Sequence, residues 1–426
     1  PRAKVVDYPS SLDYLYGLQR FGIKLGLENI QALLTRLGHP ELSFRIIHVA
    51  GSNGKGSVCA TLAEILRQGG YSTGLYTSPH LHSFTERIQI NGQPISEGRV
   101  AELAEEIRAA AEGIAATFFE FTTALALLYF ARNQVDWVVL EVGMGGRLDA
   151  TNAVTPQLCL ITPICLDHAE HLGPDLAAIA GEKAGIIKPG VPVVIGRQPP
   201  AALQVLLERA AKLEAPVILL GRDLQTSSQG DSWSYHGRNW QLRGLVAGLL
   251  GAHQLDNLAL ALAGLEQLQA AAGLPLAEAA LRQGLARVRW PGRLEWWQER
   301  REVLLDGAHN EGGARVLAEY LQTLDCRGIH WVVGLKGDKR PADLLNPLLP
   351  LVTALYCTVP PVDGAVPAAQ LVALGSAAGL PASAYSDTAA ALAGALAARR
   401  AGEIVLVAGS LFLVAAAREA LQRRPQ

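Results

Sequence analysis

Apolar and polar positions along the chain follow two periods that keep alternating. Residues 10–37 carry Tyr14, Leu15, Leu18 and Phe21 at helical spacing. Residues 45–50 are a short apolar run that passes into glycines and Lys55; from Ser57 to Gln68 the spacing is helical and closes on Gly69-Gly70. Residues 74–84 predict a strand running into a loop, 86–94 a strand and turn, and 97–116 and 121–132 helices. Residues 136–143 form a continuous apolar strand ending in an acid and a glycine, the pattern of a parallel strand buried on both faces. Runs at 158–162, 191–195 and 217–220 repeat it, with helices between most of them. This order predicts a doubly wound α/β domain of the P-loop type.

Further on, residues 232–243 alternate as a small hairpin and 254–272 return to a helix. The chain turns sharply at 288–293, and a second, smaller, Rossmann-like α/β series follows, with strands near 303–305, 329–333, 354–358 and 404–408. A length of 426 residues is long for one core. Two domains are therefore expected, residues 1–288 and 289–426.

Composition narrows the class. Half the residues are hydrophobic and 18% are charged, which suits a folded enzyme and excludes a disordered chain. A formal net charge of −2 supplies no basic field for nucleic acid and no polybasic membrane patch. The longest apolar stretch, 404–417, is interrupted by Gly409-Ser410, too short to span a bilayer. With no signal-like apolar segment at the start, a cytoplasmic protein is expected. Cys59, Cys159, Cys165, Cys326 and Cys357 form no CxxC pair, so reduced thiols are expected and neither zinc nor a disulfide is implied.

Four stretches carry candidate chemistry. The first is Gly51, Ser52, Asn53, Gly54, Lys55, Gly56 and Ser57, between a strand and a helix. Backbone N–H groups and the positive end of the helix dipole converge there, and Lys55 adds a full charge, which makes an anion site for nucleotide phosphates. The match to the general P-loop pattern is incomplete: Val49 stands where a glycine is usual, and Gly56 separates Lys55 from Ser57. The second is Glu141, followed by a glycine cluster; it either holds the metal of a bound nucleotide or solvates a strand end. The third is Asp167-His168, past another strand end, where His168 is either an ordinary core or surface residue or reaches the metal of Glu141. The fourth is Lys183, in small apolar company. Lysines number eight among 37 basic residues, so this one either snorkels from a helix or is kept for its amine.

Together these stretches resemble the folylpolyglutamate synthase/dihydrofolate synthase family of the Mur-ligase superfamily. The resemblance rests on Gly-Ser-Asn-Gly-Lys-Gly-Ser (51–57), Thr-Ser-Pro-His-Leu (77–81), Phe-Glu-Phe-Thr-Thr (119–123), Glu-Val-Gly-Met-Gly-Gly-Arg-Leu-Asp-Ala-Thr-Asn (141–152), Asp-His (167–168) and Glu-Lys-Ala-Gly-Ile (182–186). It continues through His-Gln-Leu-Asp-Asn (253–257), Pro-Gly-Arg-Leu-Glu (291–295), Asp-Gly-Ala-His-Asn (306–310) and Gly-Ser-Leu (409–411). The block at 141–152 is the most specific. The resemblance implies an ATP-dependent amide ligase that adds L-glutamate to a pteroyl carboxylate through an acyl phosphate. It implies two Mg2+ sites, one on Ser78 and Glu141, the other on Glu141, His168 and a carbamylated Lys183. Phe119, Asp149 and Ala150 are its pteroyl residues; Asn257, Arg293, Asp306 and His309 join the phosphate loop as its ATP contacts. A monomer acting on small molecules is expected, and Asp149-Ala150 lean towards both dihydropteroate and folates as acceptors. A Mur ligase of cell-wall synthesis shares the mechanism but would carry a nucleotide-sugar domain ahead of the phosphate loop. A nucleotide switch would have no use for a second metal built on His168 and Lys183.

Overall fold

Strands β1 (Arg45–Ala50), β2 (Thr73–Tyr76), β3 (Ile88–Ile90), β4 (Gln93–Pro94), β5 (Trp137–Glu141), β6 (Leu158–Ile161), β7 (Val193–Ile195) and β8 (Val217–Leu219) form one sheet in the order β4-β3-β2-β5-β1-β6-β7-β8. The computed structural model describes residues 7–22, 26–167, 169–298, 301–337 and 340–423. From β2 to β8 the sheet is parallel, with β3 and β4 antiparallel at one edge. Every residue of β5, and every residue of β1 except Arg45, is buried. Cores on both faces explain why these strands show no polar alternation: one gathers Leu33, Phe121 and Leu125, the other Ile179, Leu206 and Ile195. The strand order reverses at β1, so the carboxyl ends of β5, β1 and β6 lie side by side where doubly wound sheets place their ligands.

Several boundaries differ from those the periodicity predicts. The segment 10–37 is two helices, Tyr8–Gly17 and Glu28–Arg36, with a 3-10 turn, Leu18–Phe21, after the first. Gly22 follows that turn at φ 63, a left-handed conformation that ends the helical run. The helix predicted from 121 begins at Phe118, because Thr117 and Glu120 make a capping box in which the Glu120 carboxylate accepts the Thr117 amide at 2.8 Å. The helix predicted over 97–116 stops at Ala110. The predicted hairpin is two strands of a three-stranded antiparallel sheet, β9 (Gln225–Gln229), β10 (Ser232–His236) and β11 (Gln241–Leu245). Strand β9 is polar and mostly exposed, so it leaves no apolar signature. Glu266 fastens this sheet by accepting the Tyr235 hydroxyl at 2.6 Å and the Trp240 amide at 2.7 Å.

The chain divides into two compact units. One takes the residues up to Ile164, Ala169–Gly248 and Gln254–Val288; the other takes a short stretch from Cys165, Leu249–His253 and the chain from Arg289 onward. The second unit holds β12 (Glu295–Trp297), β13 (Val303–Asp306), β14 (Gly328–Val333), β15 (Ala354–Cys357), β16 (Ala382–Ala384) and β17 (Glu403–Ala408), ordered β12-β13-β17-β14-β15-β16. Five of them are parallel; β12, which the periodicity does not predict, lies antiparallel at the edge. Its core is built on Trp331, Leu304 and Leu406, with the Trp331 indole N–H donating to the Ala408 carbonyl at 3.1 Å. No helix among the described residues is long and apolar enough to cross a membrane.

Candidate active site

Strand β1 delivers the chain into the glycine loop, where Gly51 and Gly54 each have a steric reason. Gly51 sits at φ 145, where a side chain would overlap that of Thr162. Gly54 sits at φ 89, and a Cβ on it would lie 2.5 Å from Asn257 Oδ1. Thr162 follows β6, so two neighbouring strand ends close on the loop. The Ser52 and Asn53 amides donate to the Pro163 carbonyl at 3.0 and 3.3 Å, which fixes the loop's path. The helix Lys55–Gln68 starts two residues earlier than its apolar spacing predicts, with Gly54 as N-cap and no side-chain cap. An uncapped N-terminus leaves backbone donors to an anion. The Lys55 ammonium donates to the Ser52 carbonyl at 3.3 Å. One turn in, Ser57 is buried and its hydroxyl has no protein partner, which is costly unless a ligand supplies one.

Glu141, at the end of β5, is paired in register with Val49 of β1. It is 5% exposed, and its Oε2 accepts the Ser78 amide at 3.0 Å. The glycines behind it serve close packing. A Cβ on Gly146 would press on the Glu182 carbonyl at 2.8 Å, and one on Gly185 would strike Arg147. The Arg147 amide donates to the Glu182 carbonyl at 2.7 Å and its guanidinium pairs with the Glu182 carboxylate at 2.8 Å. The loop after Glu141 is thereby clamped to the helix Leu176–Ala184, which carries Lys183. Lys183 is buried at 4% exposure, and its Nζ donates to the Gly51 carbonyl at 2.8 Å. The structure therefore brings the phosphate loop, Ser78, Glu141 and Lys183 to one edge of the sheet. His168 lies outside the described residues. Among the described residues no cluster of three His, Cys, Asp or Glu groups is poised to hold a metal. The donors that are present, a buried unpartnered hydroxyl on Ser57 and a carboxylate on Glu141, are the oxygen type that Mg2+ takes with water and phosphate completing the shell.

Phe119 projects from the helix Phe118–Arg132, 6.0 Å from the Tyr76 ring and tilted 35° to it. Gly143 lies under it: a Cβ there would be 2.5 Å from Phe119 Cζ. Asp149 is buried and turned inward. Its Oδ2 accepts the Met144 amide at 2.9 Å, and its Oδ1 accepts the Thr151 amide at 3.0 Å and the Thr151 hydroxyl at 2.5 Å. Burial raises its pKa against those hydrogen bonds. Ala150 is buried beside it. Asn257 donates to Gln254 Oε1 at 2.9 Å, which holds its amide towards Gly54.

In the second unit Asp306 ends β13 as Glu141 ends β5. Its Oδ2 accepts the Leu294 amide at 2.9 Å and its Oδ1 the Ala308 amide at 2.8 Å. Burial raises its pKa, and the Arg293 charge opposes the rise. Arg293 donates to the Gly292 carbonyl at 3.0 Å. His309 Nδ1 donates to the Gly307 carbonyl at 2.8 Å, and its Nε2 faces Asp167 Oδ2 at 3.7 Å. Asn310 also reaches that oxygen, at 3.3 Å.

Comparison with known proteins decides the family. The Mur ligase middle domain matches residues 49–265, and the Mur ligase, glutamate ligase domain matches residues 292–411. The dihydrofolate synthase/folylpolyglutamate synthase of Escherichia coli is 36% identical over 421 residues, 97% of this chain and 96% of its own. That of Bacillus subtilis is 40% identical over 327 residues, 74% of this chain and 76% of its own. The chain belongs to the folylpolyglutamate synthase/dihydrofolate synthase family of Mur ligases. Solved members share its fold. Escherichia coli FolC in complex with DHPP and ADP aligns at a TM-score of 0.91 and 35% identity, covering 98% of both chains. A bifunctional folylpolyglutamate synthase/dihydrofolate synthase with Mn, AMPPNP and L-glutamate bound aligns at 0.88 and 36%, again 98% of both. As a member of this family the chain is an ATP-dependent acid–amino-acid ligase.

Four polar residues in this folylpolyglutamate synthase-family chain escape a reading of its motifs one by one. Thr162 and Gln254 shape the phosphate loop and the Asn257 amide; Asp167 collects His309 and Asn310. Gln254 and Asp167 lie inside quoted motifs and Thr162 ends a predicted strand, so position is their signal, with no distinctive chemistry of their own. Thr151 is the fourth, and its partner His48 sits in a strand that otherwise reads as plain core.

Proposed function

We propose that this chain condenses the amine of L-glutamate with the carboxylate of a pteroyl acid, dihydropteroate or a reduced folate, driven by ATP through an acyl phosphate. The observation that carries the reading is the phosphate cradle: a glycine loop at an uncapped helix N-terminus, with the unpartnered Ser57 hydroxyl inside it and Lys183 on its backbone. The ADP, DHPP and L-glutamate bound to the relatives, and the names those relatives bear, support the same substrates here.

An unactivated carboxylate resists attack by an amine, because its negative charge repels the nucleophile and oxide is a poor leaving group. A carboxylate oxygen of the acceptor attacks the γ-phosphorus, and the bond to the ADP oxygen breaks. The glutamate amine then adds to the acyl carbon, the tetrahedral intermediate expels phosphate with one former carboxylate oxygen, and the amine gives up a proton. The backbone N–H groups from Gly54 to Ser57, at the uncapped helix start, hold the phosphates, and Lys55 spreads positive charge over the moving phosphoryl group. Ser57, Ser78 and Glu141 would hold one Mg2+ and Glu141, His168 and Lys183 a second; when bound, such ions would supply positive charge against the phosphates. A carbamate on Lys183 suits the second site: its nitrogen keeps one hydrogen for the Gly51 carbonyl and adds two oxygen donors. Phe119 stacks on the pteroyl ring; Asn257, Arg293, Asp306 and His309 serve the nucleotide, the aspartate by fastening the end of the β12–β13 hairpin.

The test is turnover with each pteroyl acceptor, with and without L-glutamate, followed by mass analysis. With oxygen-18 in the acceptor carboxylate, label should appear in inorganic phosphate while ADP accumulates. AMP and pyrophosphate as products would overturn the acyl phosphate.

A further inference from the structure

A fully buried histidine in the central strand of a parallel sheet is expensive, since a polar ring loses its water there. His48 is such a residue: it stands in β1 three positions before Gly51, has no exposure, and the chemistry above does not use it. Its Nε2 lies 2.8 Å from Thr151 Oγ1. That hydroxyl lies 2.5 Å from Asp149 Oδ1, and Asp149 in turn receives the Thr151 and Met144 amides.

We propose that His48 and Thr151 are positioning residues for the pteroyl end of the site, acting through Asp149 on the Gly143-Met144 turn. The proposal rests on the reading that Phe119 faces the pteroyl ring.

The direction of the hydrogen bonds supports it. Two backbone N–H donors aim at the Asp149 carboxylate, so it is the acceptor, and the one proton of the Thr151 hydroxyl goes to it. Thr151 Oγ1 then has only lone pairs for His48, which makes Nε2 the protonated nitrogen of that ring. The remaining nitrogen, Nδ1, is the buried atom without a partner. A bare lone pair left over is the outcome this direction requires. The ring stays neutral: burial and then the charge of Lys188 push its pKa down to about 3. Lys188 itself donates to the Asn152 carbonyl at 3.1 Å, one residue beyond Thr151.

The far end of the chain of bonds reaches the ring wall. Asp149 holds the Met144 amide, and the preceding residue, Gly143, has no room for a Cβ beneath Phe119. A shift of that turn by a few tenths of an ångström would alter the Phe119 face directly. The strand that launches the phosphate loop is thus also the anchor of the pteroyl wall, through one imidazole and one hydroxyl.

The experiment compares Thr151→Val, which keeps the shape and loses the hydroxyl, with Thr151→Ser, which keeps the hydroxyl, and His48→Leu with His48→Gln, whose amide can still donate. Thr151→Val and His48→Leu should raise KM for dihydropteroate roughly tenfold and leave KM for ATP within about twofold. The Ser and Gln variants should stay within about threefold of wild type for both. In the ligand-free protein, hydrogen exchange at the Met144 amide should be about tenfold faster in Thr151→Val and unchanged in Thr151→Ser. If the valine variant does not fold, Thr151→Ala is read the same way. Equal rises in both KM values, a serine variant as impaired as the valine one, or unchanged Met144 exchange would each overturn the proposal. A wild-type protein inactive with every pteroyl acceptor would instead overturn the functional reading, and the exchange measurement would still decide whether the network holds the turn.

Discussion

Glu141 and Asp306 occupy equivalent places in the two units, each closing a parallel strand, each nearly buried, each accepting backbone amides. They differ in whose amides these are. Asp306 takes the Ala308 amide from its own turn and the Leu294 amide from the facing end of the β12–β13 hairpin, one on each oxygen, and so ties off the hairpin it ends. Glu141 takes the Ser78 amide from a separate loop and stands among glycines that let helix and phosphate loop come close. Asp149 belongs with Asp306, since its carboxylate is spent on Met144 and Thr151. An acid whose oxygens serve its own turn or hairpin shapes that element, whereas an acid that accepts from a separate loop ties two segments together at the strand end. Strand-end position alone does not separate the two kinds.

The comparison breaks first at Glu141. Glu141→Ala should lower turnover by about 10³-fold or more while the fold survives, because the residue closes a strand and fills no core. Circular dichroism and calorimetry beside a ligation assay check this, and a variant that unfolds without ligand would make Glu141 structural. Lys183 comes next. Lys183→Arg keeps the charge but cannot form the same carbamate, and turnover should fall by roughly a hundredfold or more. Lys183→Ala should be comparably weak and partly restored by formate or acetate. Near-normal turnover of Lys183→Arg in bicarbonate-free buffer would show an ordinary cation.

Phe119→Ala should raise KM for the pteroyl acceptor by about tenfold with KM for ATP nearly unchanged. Gly143→Ala tests the same wall from below, since its Cβ must displace the ring; matching shifts for both substrates would place Phe119 in general packing. Asp306→Asn sharpens the contrast with Glu141. One of its two accepted amides loses its acceptor, so the second unit should lose about 1–3 kcal/mol of stability, with activity falling in step. Activity lost at unchanged melting temperature would move Asp306 into the group that Glu141 represents.

Much of this was legible in the sequence, and what was not has physical causes. The buried parallel strands announce themselves, because two covered faces leave unbroken apolar runs at 45–50 and 136–143. The phosphate loop was legible because only glycine tolerates the φ of Gly51 and Gly54. The helix after it starts earlier than its apolar spacing shows, since its first two residues, Lys55 and Gly56, are only half-buried and add nothing to the apolar pattern. Thr117 and Glu120 spelled the true start of the Phe118 helix as a capping box, a local signal that outranks the apolar period. Strand β9 offered no signal at all, because an exposed polar edge needs none. His48 was hidden by its neighbours: in Ile-Ile-His-Val-Ala the strand pattern is complete without it, and its partner Thr151 lies about a hundred residues away.

The smallest effect concerns that histidine and acid. Burial and the Lys188 charge hold His48 at a pKa of about 3 in the folded protein, against an ordinary value of 6.5. The unfolded chain therefore binds one proton more than the folded one between these two values, so stability is lost as pH falls from 6.5 towards 3. By pH 5 this single group should have cost about 2 kcal/mol relative to neutral pH. His48→Gln removes the titration while keeping a donor for Thr151, so its stability should drop less than wild type between pH 7 and pH 5. His80 and His253, both pushed down to about 4 by burial and a nearby arginine, titrate with the same sign. They are present in both proteins and cancel in the comparison. Calorimetry of the two proteins at both pH values measures the difference. Equal losses would mean that His48 is reached by water or charged in the folded state, and the neutral, Nε2-protonated ring that ties Glu141's loop to the phosphate strand would not exist.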